Sequence, residues 1–236
     1  MNFSILIPTR LRSSTLPVLI DDIYRTAHNK DGIEVLFCVE ADDPDTINFI
    51  QAAAIENTNS RYIIRDSKNE GIIFPDLYNI LYEEARGKII MVAADDVKFQ
   101  TDGWDDMVLE CFARFPDGIL LVNPRDGIQN GSVAPHFFVG RNWVDVLGYV
   151  EPTWFKSWYQ DTWVTTIARQ IDRYVYLPDF YLEHLHYTVG KRSKDLTNIE
   201  KDRWVNQDRQ AWGDRQLELA ADSEKLRTFM RYFNGN

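Results

Sequence analysis

The pattern of this chain predicts an α/β fold, with a mostly parallel central sheet and helices on both of its faces. Short apolar runs of strand length alternate, through the first half, with segments whose apolar residues recur at helical spacing. Those runs are apolar at nearly every position, as strands buried on both faces require. The composition permits a core of that size, with 44% apolar and 26% charged residues over 236 positions.

Taken in order, Phe3–Ile7 is the first strand. Thr15 and Pro17 start a helix that carries Leu16, Leu19, Ile20 and Ile23 on one side. Glu34–Val39 is a second buried strand and Arg61–Ile64 a third. Pro75 opens a helix with Leu77, Tyr78, Leu81, Tyr82 and Ala85 at its spacing, closed by Gly87. Lys88–Ala93 is the fourth strand. The repeat of Trp104, Met107, Val108, Cys111, Phe112 and Phe115 is helical until Pro116, and Gly118–Val122 reads as a strand.

The second half is less regular and more aromatic. Pro135–Gly140 reads as a strand, Asn142–Leu147 as a short helix and Asp161–Ile171 as a longer one. Tyr174–Leu177 and Phe180–His186 are strand-like. From Lys191 onward the composition changes to charged helix formers. That stretch carries ten Lys/Arg and eight Asp/Glu, net +2 against −12 for residues 1–190. The chain divides on this reading into a domain over 1–190 and a helical C-terminal extension over 191–236, packed on the domain or used for homo-oligomerisation.

Charge and cysteine usage exclude several classes. With 26 Lys/Arg against 36 Asp/Glu the formal charge is −10, a poor balance for gripping a nucleic-acid backbone. Cys38 and Cys111 both lie in apolar-patterned segments, so a disulfide scaffold is not expected and a reducing compartment is. No basic segment precedes a long apolar one at the N-terminus, and no run of about 18 apolar residues occurs. The expectation is a cytoplasmic protein without a membrane span.

The acidic residues are placed with a pattern. Thr9–Arg12, Glu40–Asp43 and Asp95–Asp96 each follow directly on a predicted strand. Ligands of open α/β sheets sit beyond the carboxyl ends of the strands, so these segments converge on one edge. Adjacent carboxylates at a strand end suit a hard divalent cation with oxygen ligands. Such a cation would let an acidic protein hold a diphosphate. A turn or helix cap before Gly103 is the plainer alternative for Asp95–Asp96.

With these residues in view, the chain resembles the GT-A fold glycosyltransferases, especially the large family 2-like group. SILIPTRLR is similar to that group's first strand and nucleotide loop. NEGIIFPDLYNILYEEARGKIIMVAADD is similar to its core, with Asn69, Gly71, Asn79, Ala85, Gly87 and Asp95–Asp96 at or near the usual intervals. LGYVEPTWFKSWYQDTW resembles the segment that ends in the catalytic carboxylate, here Asp161. The likeness covers roughly residues 2–190.

The resemblance implies a UDP-sugar donor, Mn²⁺ or Mg²⁺ as cofactor, an acceptor hydroxyl of unidentified origin and inversion at the anomeric carbon. Pro8, Thr9 and Arg12 would line the nucleotide site, and Glu40 and Asp42 would meet uracil or ribose. Asp95 would face ribose and metal, Asp96 would bind the metal, and Asp161 would be the general base. Ala93 stands where the first Asp of the DxD motif usually lies, and Gln160 stands where Glu commonly precedes the base.

His184 and His186, two apart in an extended segment, point the same way, and either is a candidate metal ligand. Lys191 is a candidate for neutralising the diphosphate. Sugar faces pack on aromatic rings, which makes His136, Trp154 and Trp158, before the base, candidate acceptor contacts. Three other readings stay open. A sugar nucleotidylyltransferase would share Thr9–Leu11 and Pro17, but residues 1–16 lack the glycine a triphosphate loop needs. A non-catalytic nucleotide- or sugar-binding protein would explain Ala93 and Gln160. A metal-dependent hydrolase would use Asp95, Asp96, His184 and His186 with a water nucleophile.

Overall fold

The computed structural model describes residues 1–56, 59–66 and 74–235. Asn69 and Gly71 lie outside the described residues. The chain runs β1 (Phe3–Thr9), α1 (Leu16–Arg25), β2 (Ile33–Glu40), α2 (Pro44–Glu56), β3 (Ser60–Arg65), α3 (Phe74–Glu84), β4 (Ile89–Val92) and β5 (Val97–Phe99). It continues through α4 (Trp104–Ala113), β6 (Leu121–Arg125), β7 (Phe137–Gly140), α5 (Arg141–Leu147), α6 (Gln160–Gln170) and β8 (Tyr174–His184). Three helices close it, α7 (Leu196–Asp202), α8 (Val205–Asp214) and α9 (Gln216–Gly235).

The strands form an eight-stranded sheet in the order β3-β2-β1-β4-β7-β6-β8-β5. β7 runs antiparallel to β4 and β6, and β5 antiparallel to β8, while the other neighbouring pairs are parallel. β1, β2, β4, β6 and β8 therefore end on one edge. Every residue of β1 and β2 is buried, because helices cover both faces. Ile5 and Ile7 point into one core with Leu19, Ile23, Trp104 and Val108, from α1 and α4. Leu6 points into the other, with Leu81 of α3, Val144 of α5, Val164 of α6, and Leu219 and Leu226 of α9. Trp104 centres the first core, its ring 5.2 Å from Phe3, 5.1 Å from Phe99 and 5.8 Å from Phe138.

Several element boundaries differ from the sequence expectation for visible reasons. α3 ends at Glu84, so Gly87 does not close it. Gly87 instead lets the chain pass β1, since a Cβ there would lie 2.5 Å from the Ser4 backbone nitrogen. The strand expected over 118–122 begins at Leu121 and extends to Arg125, pairing with β8 from Leu121 on. Tyr174–Leu177 and Phe180–His186 join in one strand whose register shifts opposite Pro124 and Arg125. α2 and β5 are elements beyond those the sequence pattern predicts. Both cysteines are free and buried. Among the described residues, no helix is long and apolar enough to cross a membrane.

Candidate active site

The shared carboxyl edge of β1, β2, β4 and β8 gathers the polar residues. After β1 the chain turns through Leu11 at φ 58°. This left-handed conformation is unfavourable for leucine and is held by the Asp43 carboxylate, which accepts from the Leu11 N–H. The turn brings Thr9 and Arg12 onto one carboxylate, with Thr9 Oγ1 donating to Asp95 at 2.9 Å and Arg12 Nε at 3.4 Å. Arg12 also reaches Asp195, just before α7.

One residue on, Asp96 meets His184 Nε2 at 3.4 Å and Arg192 at 2.8 Å. Its backbone carbonyl accepts from Leu185 at 2.8 Å, which ties the start of β5 to the end of β8. His136, buried just before β7, packs its ring 4.6 Å from that of His184, and His186 lies 5.0 Å beyond. The His136 Nδ1 accepts from Ala94 at 3.4 Å, while its Nε2 has no hydrogen-bond partner.

The two adjacent carboxylates differ in their proton affinity. Burial, with the charge of Asp96 next to it, pushes Asp95 up to about 6. Burial acts on Asp96 in the same sense, but the hydrogen bond and charge of His184 and the charge of Arg192 hold it below the usual carboxylate range. Burial and His184 drive His136 well below the ordinary histidine value and bring His186 to about 4. Both imidazoles are therefore neutral near pH 7, the form that ligates metals.

The opposite wall is built by the segment before α6. Tyr159 takes φ 71° and caps α6, so Asp161 falls in the first turn with its carboxylate accepting from the Thr162 N–H at 2.6 Å. Burial raises the Asp161 carboxyl above its ordinary value, against the Thr162 bonds. Asp208 of α8, fully buried, accepts from the N–H groups of Lys156, Ser157 and Trp158 at 2.9 Å each. Trp158 Nε1 donates to the Lys201 carbonyl at 2.9 Å, and Tyr159 stacks on Trp212 with ring centroids 6.0 Å apart. The wall that carries Asp161 is thus held by α7 and α8.

Pro8, Thr9, Arg12, Glu40, Asp95, Asp96, His136, Trp158, Asp161, His184 and His186 line one cavity of about 350 Å³. Asp42, Lys191 and Trp154 are not among its lining residues. Asp42 pairs with Arg10 at 2.8 Å, and Lys191 pairs with Glu183 at 2.9 Å. Trp154 packs against Trp163, 5.2 Å between centroids, under the Arg215 guanidinium. Glu151, Arg192 and Lys201 line the cavity without having been singled out from the sequence. Arg192 follows Lys191 directly, just after the left-handed turn at Gly190, φ 72°, and it is Arg192 that faces inward, onto Asp96.

A second cluster lies elsewhere on the surface, where His28, Asp105 and Asp106 bring potential ligand atoms within 4.8 Å of one another. Its groups are already engaged. Asp105 accepts from the N–H groups of His28 and Asn29 at 2.9 Å each, and His28 Nδ1 meets Asp106 at 2.8 Å. The arrangement fastens the 28–29 turn to the start of α4.

No known family profile and no characterised protein matches the chain by sequence. Solved structures do match it. A mannosyltransferase from Pyrobaculum calidifontis, PcManGT, in complex with GDP-Man and Mn²⁺, superposes with a TM-score of 0.67 at 16% identity, covering 95% of this chain and 69% of that one. A fragment of S. aureus TarS in complex with UDP gives 0.61 at 16% identity, over 77% of this chain and 59% of that one. The same fragment with UDP-GlcNAc gives 0.60 at 15% identity, over 77% of this chain and 57% of that one. The fold is that of the GT-A glycosyltransferases. The chain spans under two thirds of the TarS fragment's length, so the likeness to it concerns the GT-A core and not the whole protein.

Proposed function

We propose that this protein is a metal-dependent glycosyltransferase that moves a sugar from a UDP-sugar to an acceptor hydroxyl with inversion. The observation that carries the reading is one cavity in which Thr9, Arg12 and an Asp95–Asp96 pair face a half-buried carboxylate, Asp161. In the GT-A fold this edge is the ligand edge of the sheet. A UDP-linked donor is consistent with the UDP held by TarS. Guanosine is the second reading, favoured by the GDP-Man in the better-covered PcManGT.

The donor set suits Mn²⁺ or Mg²⁺. Asp96 already draws a guanidinium and an imidazole to its carboxylate, and the buried Nε2 of neighbouring His136 lacks a partner. Asp96 and His184, with Asp95 beside them, are the residues to hold such an ion. When bound, it would offset the charge that develops on a departing diphosphate.

The rest is work for the side chains. Arg12 and Arg192 flank the acidic pair and can turn to the diphosphate oxygens. Asp161 accepts the proton of the attacking hydroxyl as the new bond to the anomeric carbon forms. Its raised proton affinity suits that step, because a base works best when its pKa approaches the working pH. A single base opposite the leaving group gives inversion.

Release of UDP or GDP from a panel of nucleotide sugars, measured with and without Mn²⁺ and with and without acceptor, tests this reading. Metal-dependent release that rises with an acceptor supports transfer. Release indifferent to every acceptor favours a hydrolase, and no release despite nucleotide binding favours a non-catalytic binder. Pyrophosphate formation from a nucleoside triphosphate and a sugar phosphate would point to nucleotidyl transfer.

A further inference from the structure

Next to Asp161 the cavity wall carries buried polar atoms that no group among the described residues answers. Glu151 is 2% exposed and its Oε2 has no hydrogen-bond partner. Ser157 Oγ and Gln160 Oε1, on the same wall, also lack one. Buried polar groups are nearly always paired in a folded chain, and unpaired ones are destabilising, so three on one wall require a reason.

The position of Glu151 is deliberately fixed. Asn79 of α3 grips it from both sides: its Oδ1 accepts from the N–H groups of Val150 at 2.8 Å and Glu151 at 3.3 Å. Its Nδ2 donates to the Glu151 carbonyl at 2.9 Å. The Gln160 amide nitrogen is used by the Ser157 carbonyl at 3.0 Å, which leaves the amide oxygen as its free end. Two acceptor oxygens and a hydroxyl, held on a fixed backbone beside the base, match a ligand that presents hydroxyl donors.

We propose that Glu151, with Ser157 and Gln160, forms the subsite for the transferred sugar and selects a neutral, hydroxyl-bearing sugar over one that carries a carboxylate. This rests on the glycosyltransferase reading above. An ionised sugar carboxylate offers Gln160 no donor and places a second negative charge beside Asp161 in a water-poor site. Lys201, whose ammonium lies 4.5 Å from the Phe74 ring centroid, already offsets part of the negative charge of Glu151 and Asp161.

The test separates the sugar from the nucleotide. Wild type, Glu151→Ala and Glu151→Gln are titrated calorimetrically in Mn²⁺ with UDP, UDP-glucose, UDP-galactose, UDP-N-acetylglucosamine and UDP-glucuronic acid, and with GDP and GDP-mannose. In wild type the best neutral sugar should tighten binding over the bare diphosphate, and glucuronic acid should bind about tenfold weaker than that sugar. Glu151→Ala should lose about tenfold of the sugar's contribution while binding the bare diphosphate within about twofold of wild type. Glu151→Gln keeps an acceptor oxygen and should retain most of it.

A thermal melt supplies a readout that a packing role would not give. Burial and the charge of Asp161 raise the Glu151 carboxyl well above its ordinary value, so replacing this unpaired buried carboxyl with the amide in Glu151→Gln should leave Tm unchanged or raise it by about 2–4 °C. An unchanged sugar contribution in Glu151→Ala, or glucuronic acid binding as well as the neutral sugars, overturns the inference while leaving the transferase reading intact. Failure of wild type to bind either diphosphate overturns that reading and the inference with it.

Discussion

The two walls of the cavity are built in different ways. The wall proposed to hold the nucleotide (the nucleotide wall), Thr9–Arg12 and Asp95–Asp96, grows from the ends of β1 and β4, adjacent parallel strands whose backbone ladder fixes it. The wall that carries the proposed base (the base wall), residues 151–161, has little ladder of its own and is fixed by side chains from elsewhere. Asn79 pins Glu151, Asp208 pins three consecutive N–H groups, and Trp212 stacks under Tyr159. A wall carried by a sheet is set by local pairing, while one carried by distant side chains fails when a single remote group is removed.

That contrast can be broken at several points. The largest effect is expected at the base itself, where Asp161→Asn should lower transfer by about 10³-fold while leaving diphosphate affinity unchanged. A variant that transfers at the parent rate would move the base elsewhere. Next, Asp96→Ala on the nucleotide wall should weaken Mn²⁺-dependent diphosphate binding by about 100-fold with an unaltered far-ultraviolet spectrum. Binding that no longer distinguishes buffers with and without Mn²⁺ is the expected signature.

Asp208→Ala probes the remote support. It strands three buried N–H groups and should cost about 2–4 kcal/mol of stability in urea unfolding. At temperatures where it remains folded it should lower kcat by about tenfold and leave diphosphate binding intact. Equal losses in both would mean that the walls are not independent. The smallest contrast is between neighbours. Arg192→Ala should weaken diphosphate binding by about tenfold, whereas Lys191→Ala, whose ammonium pairs with Glu183 outside the cavity, should change little.

The pH profile sharpens the assignment of Asp161. The base acts when deprotonated, and burial raises its pKa. Transfer should therefore fall as pH drops, with a midpoint above the ordinary carboxylate value of about 4. A rate that stays flat down to about pH 4 would contradict the burial argument.

The difference between the walls also explains what the sequence reveals. Strands buried on both faces announce themselves as continuous apolar runs, so β1, β2 and β4, and with them the positions of Thr9, Glu40 and Asp95, were legible. β5 is a three-residue strand that pairs, among the described residues, with a distant antiparallel segment alone, and no local pattern marks it. α2 does carry a local signal. Pro44 opens it and Asp43 accepts from the Thr46 N–H, a capping arrangement within four residues.

On the base wall the limits are those of tertiary contact. Asp161 is marked by the aromatic segment that precedes it, but nothing local says that Glu151 turns inward or that Asp208, 47 positions after Asp161, completes the wall. Trp154 and Trp158 look alike in sequence. One packs against Trp163 and the other lines the cavity, because the chain between them curls around the Asp208 carboxylate.

The central claim is that the cavity holds a nucleoside diphosphate through a divalent cation on its acidic edge. Calorimetric titration with UDP and with GDP, each with and without Mn²⁺ and with ADP as control, tests it most directly. The account predicts Mn²⁺-dependent binding of UDP, with a clear preference over ADP. Absence of binding for all three nucleotides, with and without the metal, would contradict it.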